Sequence, residues 1–297
     1  MCHVHTLVRR TCTPWPGPLV ALLLCWAAVN GCKSSDAPAT APSLVAARVE
    51  GAGPMVSLDP AEWEAIAPAT IPLTPQAAAV PMNLEPATSS VRVRMRHNDD
   101  HVSVLLEWDD PTRSDALVVD QFGDQIAIQY PIDHANPPSA AMGASGQPVV
   151  IMQWRSPHGR DLTVGAPPSV PVLFPNAHVD LYTADQLPED RARPYTGAVG
   201  LGNPVSRSPE NGVLIQIAEG FGSLTALPST PAHGRGEWAN GVWRVVISHP
   251  LDFGEGFLQL RAGLQSRIAF AVWEGGNNEV GSRKAWASWV PLRIGDA

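Results

Sequence analysis

Val91-Arg92-Val93-Arg94-Met95-Arg96-His97, then Asn98-Asp99-Asp100, then His101-Val102-Ser103-Val104-Leu105-Leu106-Glu107-Trp108 is the stretch that decides the fold. In the first run Val91, Val93, Met95 and His97 fall on one side and Arg92, Arg94 and Arg96 on the other, the period of two of a half-exposed strand. Asn98-Asp99-Asp100 supplies a turn, because Asn and Asp side chains hydrogen-bond their own backbone. Val102, Val104, Leu106 and Trp108 carry the apolar face back, so the two runs form a hairpin.

Outward from this hairpin, further short strands are predicted at Gln125–Tyr130, Val149–Arg155, Val213–Ala218, Val242–His249, Arg267–Trp273 and Trp286–Ile294, each bounded by Gly, Pro, Asn or Asp. Their spacing predicts an all-β fold, an antiparallel β-sandwich with one or two short helices and long loops. Asp59-Pro60-Ala61-Glu62-Trp63 combines an N-cap, a proline at the first helical position and an acid in the first turn, which predicts a short helix packed down by Trp63. Residues 156–210 have weak periodicity and read as long surface loops with one strand at Val179–Tyr182. There is no internal repeat.

Composition agrees with a turn-rich globular chain: of 297 residues 44% are hydrophobic and 16% charged, with 30 Pro and 25 Gly. Trp (10) outnumbers Phe (6) and Tyr (3), which suits strands and ligand pockets. The formal charge is −8; the first 31 residues hold two Arg and no acid, leaving 18 basic and 28 acidic residues and a net −10. That balance disfavours nucleic acid as a partner. All four cysteines, Cys2, Cys12, Cys25 and Cys32, precede the predicted domain, which therefore has no disulfide, no Cys-ligated metal and no CxxCH attachment.

Arg9 and Arg10 precede an apolar run from Leu19 to Val29, too short to span a bilayer, so residues 1–31 read as a signal peptide for export. Val29-Asn30-Gly31-Cys32 resembles a bacterial lipobox with Asn30 as an unusual member, and Cys32 is the expected lipidation site. Residues 32–44 are rich in Ser, Ala and Pro and form an expected flexible tether, with the folded domain over 45–297. The implied location is the periplasmic face of a bacterial membrane, held by a lipid anchor; Lys33 rather than Asp after the cysteine points to the outer membrane.

Sequence motifs of enzymes are missing: there is no G-x-S-x-G elbow, Walker loop, HExxH or G-x-G-x-x-G after a strand. Five segments are informative together. They are Val91–Asn98, Leu106–Asp110, Phe122–Pro131, Ala141-Met142-Gly143 with Val150–Arg155, and Gly241–Ile247 with Ile268–Gly275. In this order they resemble the haem b-binding gamma subunits of the type II dimethyl sulfoxide reductase family, which contains ethylbenzene dehydrogenase and the selenate, chlorate and dimethyl sulfide enzymes. The resemblance implies one non-covalent haem b and no catalytic residues. It implies a redox partner too, a molybdenum enzyme subunit or a cytochrome.

The resemblance also implies the iron ligands, a methionine in an M-G loop and a lysine near the carboxyl end, here Met142 and Lys284. Gly143 would let a macrocycle approach the backbone. Ligation by Lys284 needs the neutral amine, which for an ordinary lysine at pH 7 costs about 4 to 5 kcal/mol that burial and the metal must supply. Tyr130-Pro131 stands where the family has Phe-Pro, which would add a hydroxyl near the pocket. Met95 and His97 offer another sulfur and imidazole; residues two apart on a strand point the same way and cannot take opposite faces of one haem, which leaves one of them as an alternative ligand with a remote partner. Met152 reads as strand core, and His134, His158, His178, His233 and His249 have no ligand-like spacing. Asp109, Asp110 and Asp124 could serve a hydrolase, although turn and cap roles explain them. The main alternative is a haem-free β-sandwich binding module of the carbohydrate-binding type, its Trp residues lining a sugar cleft.

Overall fold

The computed structural model describes residues 42–116, 118, 120–165, 172, 175–176, 203–206 and 208–296. The signal segment, Cys32, most of the tether and the strand expected at Val179–Tyr182 lie outside the described residues. The deciding hairpin is present: β4 (Ser90–His97) and β5 (His101–Asp109) pair antiparallel with Arg92 opposite Glu107 and His97 opposite Val102. Before it come β1 (Leu44–Arg48), β2 (Ala69–Pro72) and β3 (Thr74–Pro75). After it come β6 (Gln125–Pro131), β7 (Val149–Arg155), β8 (Val213–Ala218), β9 (Thr225–Ala226), β10 (His233–Ala239), β11 (Val242–Pro250), β12 (Gln265–Trp273) and β13 (Ala285–Ile294).

Two sheets face each other. The first runs β10-β11-β5-β4 with β2 beyond β4, and the second runs β13-β12-β6-β7-β8-β9 with β3 on the outer edge of β13. β1 joins both: Leu44–Ala46 pair with β13, and Ala47–Arg48 cross over to β4. The antiparallel sandwich expected from the spacing is present, and β1 adds parallel pairing to it on both sides. A strand that crosses between sheets can run alongside two neighbours without a tight turn to either. Leu44 is buried at the first position of β1.

Between the sheets lies the main core, in which Val91, Val93, Met95, Val104 and Leu106 meet Ile126, Ile128, Met152, Ile215 and Phe270. Three tryptophans bridge the layers. Trp108 of β5 stacks on Trp243 of β11 at 6.2 Å, and Trp243 meets Trp154 of β7 edge-on at 5.2 Å. The arginine face of β4 is less exposed than its alternation predicts. Pro60–Glu62 form a short 3-10 turn whose N-cap Asp59 accepts from Ala61 N, and it seats Trp63 beside Leu58, Leu105 and Val246. Arg96 is buried there, its guanidinium 4.2 Å from the Trp63 ring centre and hydrogen-bonded to Glu62. The expected loop after β7 opens instead as a helix, α1 (Ser156–Val164), which ends at Gly165 in a left-handed conformation. Its sequence, with an internal Gly159, has little intrinsic helix preference; Gly159 is required because a Cβ there would stand 2.7 Å from the Trp154 ring. Among the described residues no helix is long and apolar enough to cross a membrane.

Candidate functional site

On a strand buried on one face, alternate residues point to the other. Over the middle of the second sheet the outward residues are not charged, as they would be on a solvated face. They are Ala127, Ala269 and Ala271, the amides Gln125, Gln129, Gln153 and Gln216, and Ile151 and Trp273. The small alanines leave a trough, and loops from four parts of the chain wall it in. Their indole donors hold them: Trp273 Nε1 donates to Gly281 O (2.9 Å), Trp286 Nε1 to Pro75 O (3.3 Å) and Trp289 Nε1 to Pro138 O (2.6 Å). Gln76, buried beside the trough, donates to Ala79 O and Ser282 O and so ties one wall to the next. The result is a cleft of about 490 Å3, within the range of roughly 300–1,000 Å3 usual for small-molecule and cofactor sites.

Met142 and Lys284, far apart in sequence, both line this cleft. Met142 sits in the β6–β7 loop with a left-handed φ of 69°, uncommon for a side-chain-bearing residue. Its carbonyl accepts from Gly220 N at 2.7 Å, and its side chain packs on the apolar patch that includes Ala127, Val149 and Ile151. Lys284 precedes β13 with its Nζ 5.3 Å from the centre of the Trp273 ring. Burial pushes the pKa of this amine down to about 8. Neutralising it at pH 7 is therefore far less costly than for a free lysine. Lys33 and Lys284 are the two lysines of the chain, beside 18 Arg. Where the rest of the domain uses Arg, whose guanidinium does not give up its proton, this position carries an amine that can shed one and donate a lone pair.

The cleft also has a cationic end that the sequence reading missed. Arg155, the last residue of β7, donates from Nη2 to Gln153 Oε1 (3.0 Å), and Gln153 donates to Gln125 (2.7 Å). Its Nε is buried without an acceptor, and among the described residues no carboxylate pairs with it. The signal available in the sequence was the run of outward Gln and Ala in β6–β8 where a solvated sheet would carry charge.

Other expectations are corrected. Gly143 does not open the backbone to a ligand: it has φ 79°, and a Cβ would stand 2.8 Å from Ala218 O and Gln147 O, so the glycine packs the loop onto β8. Tyr130 points away from the cleft into the sandwich, where its hydroxyl lies 3.2 Å from His249 Nε2. Met95 and His97 also face inward and do not reach the cleft; His97 Nδ1 lies 3.1 Å from Asn98 O. Met152 is core as expected, and His178 lies outside the described residues.

Residues 61–200 match the family model described as ethylbenzene dehydrogenase. A protein of Haloferax mediterranei, provisionally named respiratory nitrate reductase heme subunit ORF7, is 21% identical over 235 residues, which cover 78% of this chain and 66% of that protein. The chain thus spans just under two thirds of that relative's own length. Among solved structures, a family 9 carbohydrate-binding module from Caldicellulosiruptor kristjanssonii in complex with glucose is 11% identical with a TM-score of 0.39, over 84% of this chain and 96% of the module. A module of the same family and organism in complex with cellotriose gives 11% and 0.38, over 84% and 94%. By the family match over residues 61–200 and the five motif segments, this chain resembles the ethylbenzene dehydrogenase family and its haem-binding gamma subunits.

Proposed function

We propose that this protein is a haem electron-transfer subunit of a respiratory oxidoreductase, binding one non-covalent haem b in the outer cleft and having no catalytic residues of its own. The observation that carries the reading is that Met142 and Lys284, named as ligands by family resemblance alone, line one cleft. The donor set fits: a thioether and an amine of depressed pKa are both competent iron ligands. When bound, such a haem supplies one-electron chemistry at a potential raised by the soft sulfur and by burial. Met142 would present its sulfur, and Lys284 would hold its lone pair free of a proton. Ala127, Ala269 and Ala271 make a flat floor for a planar ring, and Arg155 would receive an anionic edge such as a propionate. The partner is proposed to be a molybdenum enzyme subunit or a cytochrome. The protein is further proposed to be exported and held at the periplasmic face of a bacterial membrane by lipid on Cys32.

Haem titration of the purified protein tests this. Wild type should take up one haem per chain with a six-coordinate low-spin spectrum. Met142→Ala and Lys284→Ala should each keep the fold and lose low-spin character, with haem affinity lowered at least tenfold. Full haem content and an unchanged spectrum in Met142→Ala would refute the ligand assignment.

A further inference from the structure

Asp110 follows β5 of the first sheet, whereas Asp124 precedes β6 and Glu274 follows β12 of the second, and the three meet at one end of the sandwich. Their carboxylate oxygens lie within 4.8 Å of one another. They are 0%, 0% and 4% exposed. The donors around them are neutral. Thr112 N donates to Asp110 Oδ1 (3.0 Å) and Thr112 Oγ1 to Glu274 Oε1 (2.8 Å). Ser114 N (2.7 Å) and Trp243 Nε1 (2.9 Å) donate to Asp124 Oδ2, and Gly275 N donates to Asp124 Oδ1 (2.8 Å). Among the described residues no Arg, Lys or His forms an ion pair with any of the three. Asp110 Oδ2, fully buried, has no donor at all, and the nearby Trp108 Nε1 falls outside hydrogen-bonding geometry and is itself unpaired.

We propose that Asp110, Asp124 and Glu274 form a Ca2+ site that ties the two sheets together. Three like charges in a water-poor site repel: burial first, then the Asp124 and Glu274 charges, push Asp110 up to about 7. Burial, with the Glu274 charge a smaller cause, pushes Asp124 up to about 6. A divalent cation relieves this while keeping all three ionised. Oxygen-only ligands select a hard cation. Ca2+, with oxygens at roughly 2.3–2.6 Å in adaptable geometry, suits three buried carboxylates better than Mg2+, which retains its waters. The Thr112 hydroxyl is a further oxygen at the site. The site also connects to Gln76 of the cleft, whose carbonyl accepts from Asn83 N (2.8 Å). Glu279 accepts from Glu274 N (3.1 Å) with one oxygen and holds Asn83 Nδ2 (3.0 Å) and Ala87 N (2.9 Å) with the other. The site does not depend on haem.

Terbium serves as a luminescent stand-in for Ca2+ on the full chain after EDTA treatment. The Trp243 indole touches the Asp124 carboxylate, so excitation at tryptophan should give sensitised Tb3+ emission that saturates at one ion per chain and is displaced by Ca2+. Asp110→Asn should lower Tb3+ and Ca2+ affinity at least tenfold, and wild type should melt several degrees higher in Ca2+ than in EDTA. Should Asp110→Asn not fold, Glu274→Gln carries the same prediction by metal analysis after dialysis against Ca2+. No sensitised emission and no bound calcium in wild type, or binding unchanged in the variants, overturns the site and leaves protonation as the answer to the buried charge.

Discussion

Lys284 and His249 show how burial sets the chemistry of single residues in this protein. For Lys284 the charged form is disfavoured by lost solvation, and its pKa falls from 10.5 to about 8. Nitrogen NMR of lysine-labelled, haem-free protein can follow it, because Lys33 is the one other lysine. The expected result is a Lys284 amine titrating near 8; a midpoint above 10 would sink its role as a ligand. His249 lies fully buried between Tyr130 and Pro250, and burial pushes it down to about 4. A base whose folded pKa lies below its unfolded 6.5 is protonated more readily after unfolding, so its stabilising contribution is complete above pH 6.5 and is lost as pH falls towards 4. The shift corresponds to about 3 kcal/mol. His158, pushed down to about 4 by burial and then by Arg155, acts in the same direction. Urea midpoints measured from pH 7 to pH 4 should fall in wild type and fall less steeply in His249→Gln; parallel slopes would remove His249 from the acid limb.

At the scale of elements, β10 shows a strand shaped by what packs on it rather than by its own propensity. His233-Gly234-Arg235-Gly236-Glu237-Trp238-Ala239 has two glycines and weak strand preference. It is held by seven register pairs with β11, and its glycines make room for Trp154. A Cβ at Gly236 would stand 2.4 Å from Trp154 Cζ2, and that ring cannot retreat because it is 1% exposed and set edge-on to Trp243. Gly236→Ala should therefore cost about 1–3 kcal/mol, a melting temperature lower by roughly 3–10 °C. Trp154→Phe in the same chain should recover part of the loss, and a non-additive double-mutant cycle is the measurement that checks it. β13 shows the converse case. Its buried residues run Ala285, Ala287, then Val290, Leu292 and Ile294, because the register slips opposite Ile268–Phe270. That slip turns Trp289 out onto the cleft side, where it fastens the Met142 loop through Pro138.

For the whole molecule, the two faces of the second sheet divide the work: one closes the core with the first sheet, and the other carries the cleft. The cleft needs no movement of the core to receive a ligand, since its walls are loops hung on outward-facing tryptophans. A lipid on Cys32 would hold this body at a membrane. Cys32→Ser should shift the protein from the membrane to the soluble fraction of fractionated cells without altering its melting temperature. Equal membrane recovery of variant and wild type would show that lipid on Cys32 is not the anchor.

The sequence by itself determined the strands whose two faces differ. Val91–Trp108 alternates because one side meets the core, and the Asp59 cap is visible because capping is a local hydrogen bond. The resemblance named Met142 and Lys284, and the fold is what brings them to one cleft. What only the tertiary structure decided is whatever depends on residues distant in the chain: β1 crossing between sheets, β10 sheltering Trp154, and Arg155 facing the cleft without a counter-charge. Asp110 and Asp124 read in sequence as turn residues; Asp110 does cap its turn through Thr112 N, whereas Asp124 accepts from Ser114 N, ten residues earlier in the chain. Their burial against Glu274 arises only when β5, β6 and β12 come together, because periodicity records which face of a strand is covered and carries no information about which residues cover it.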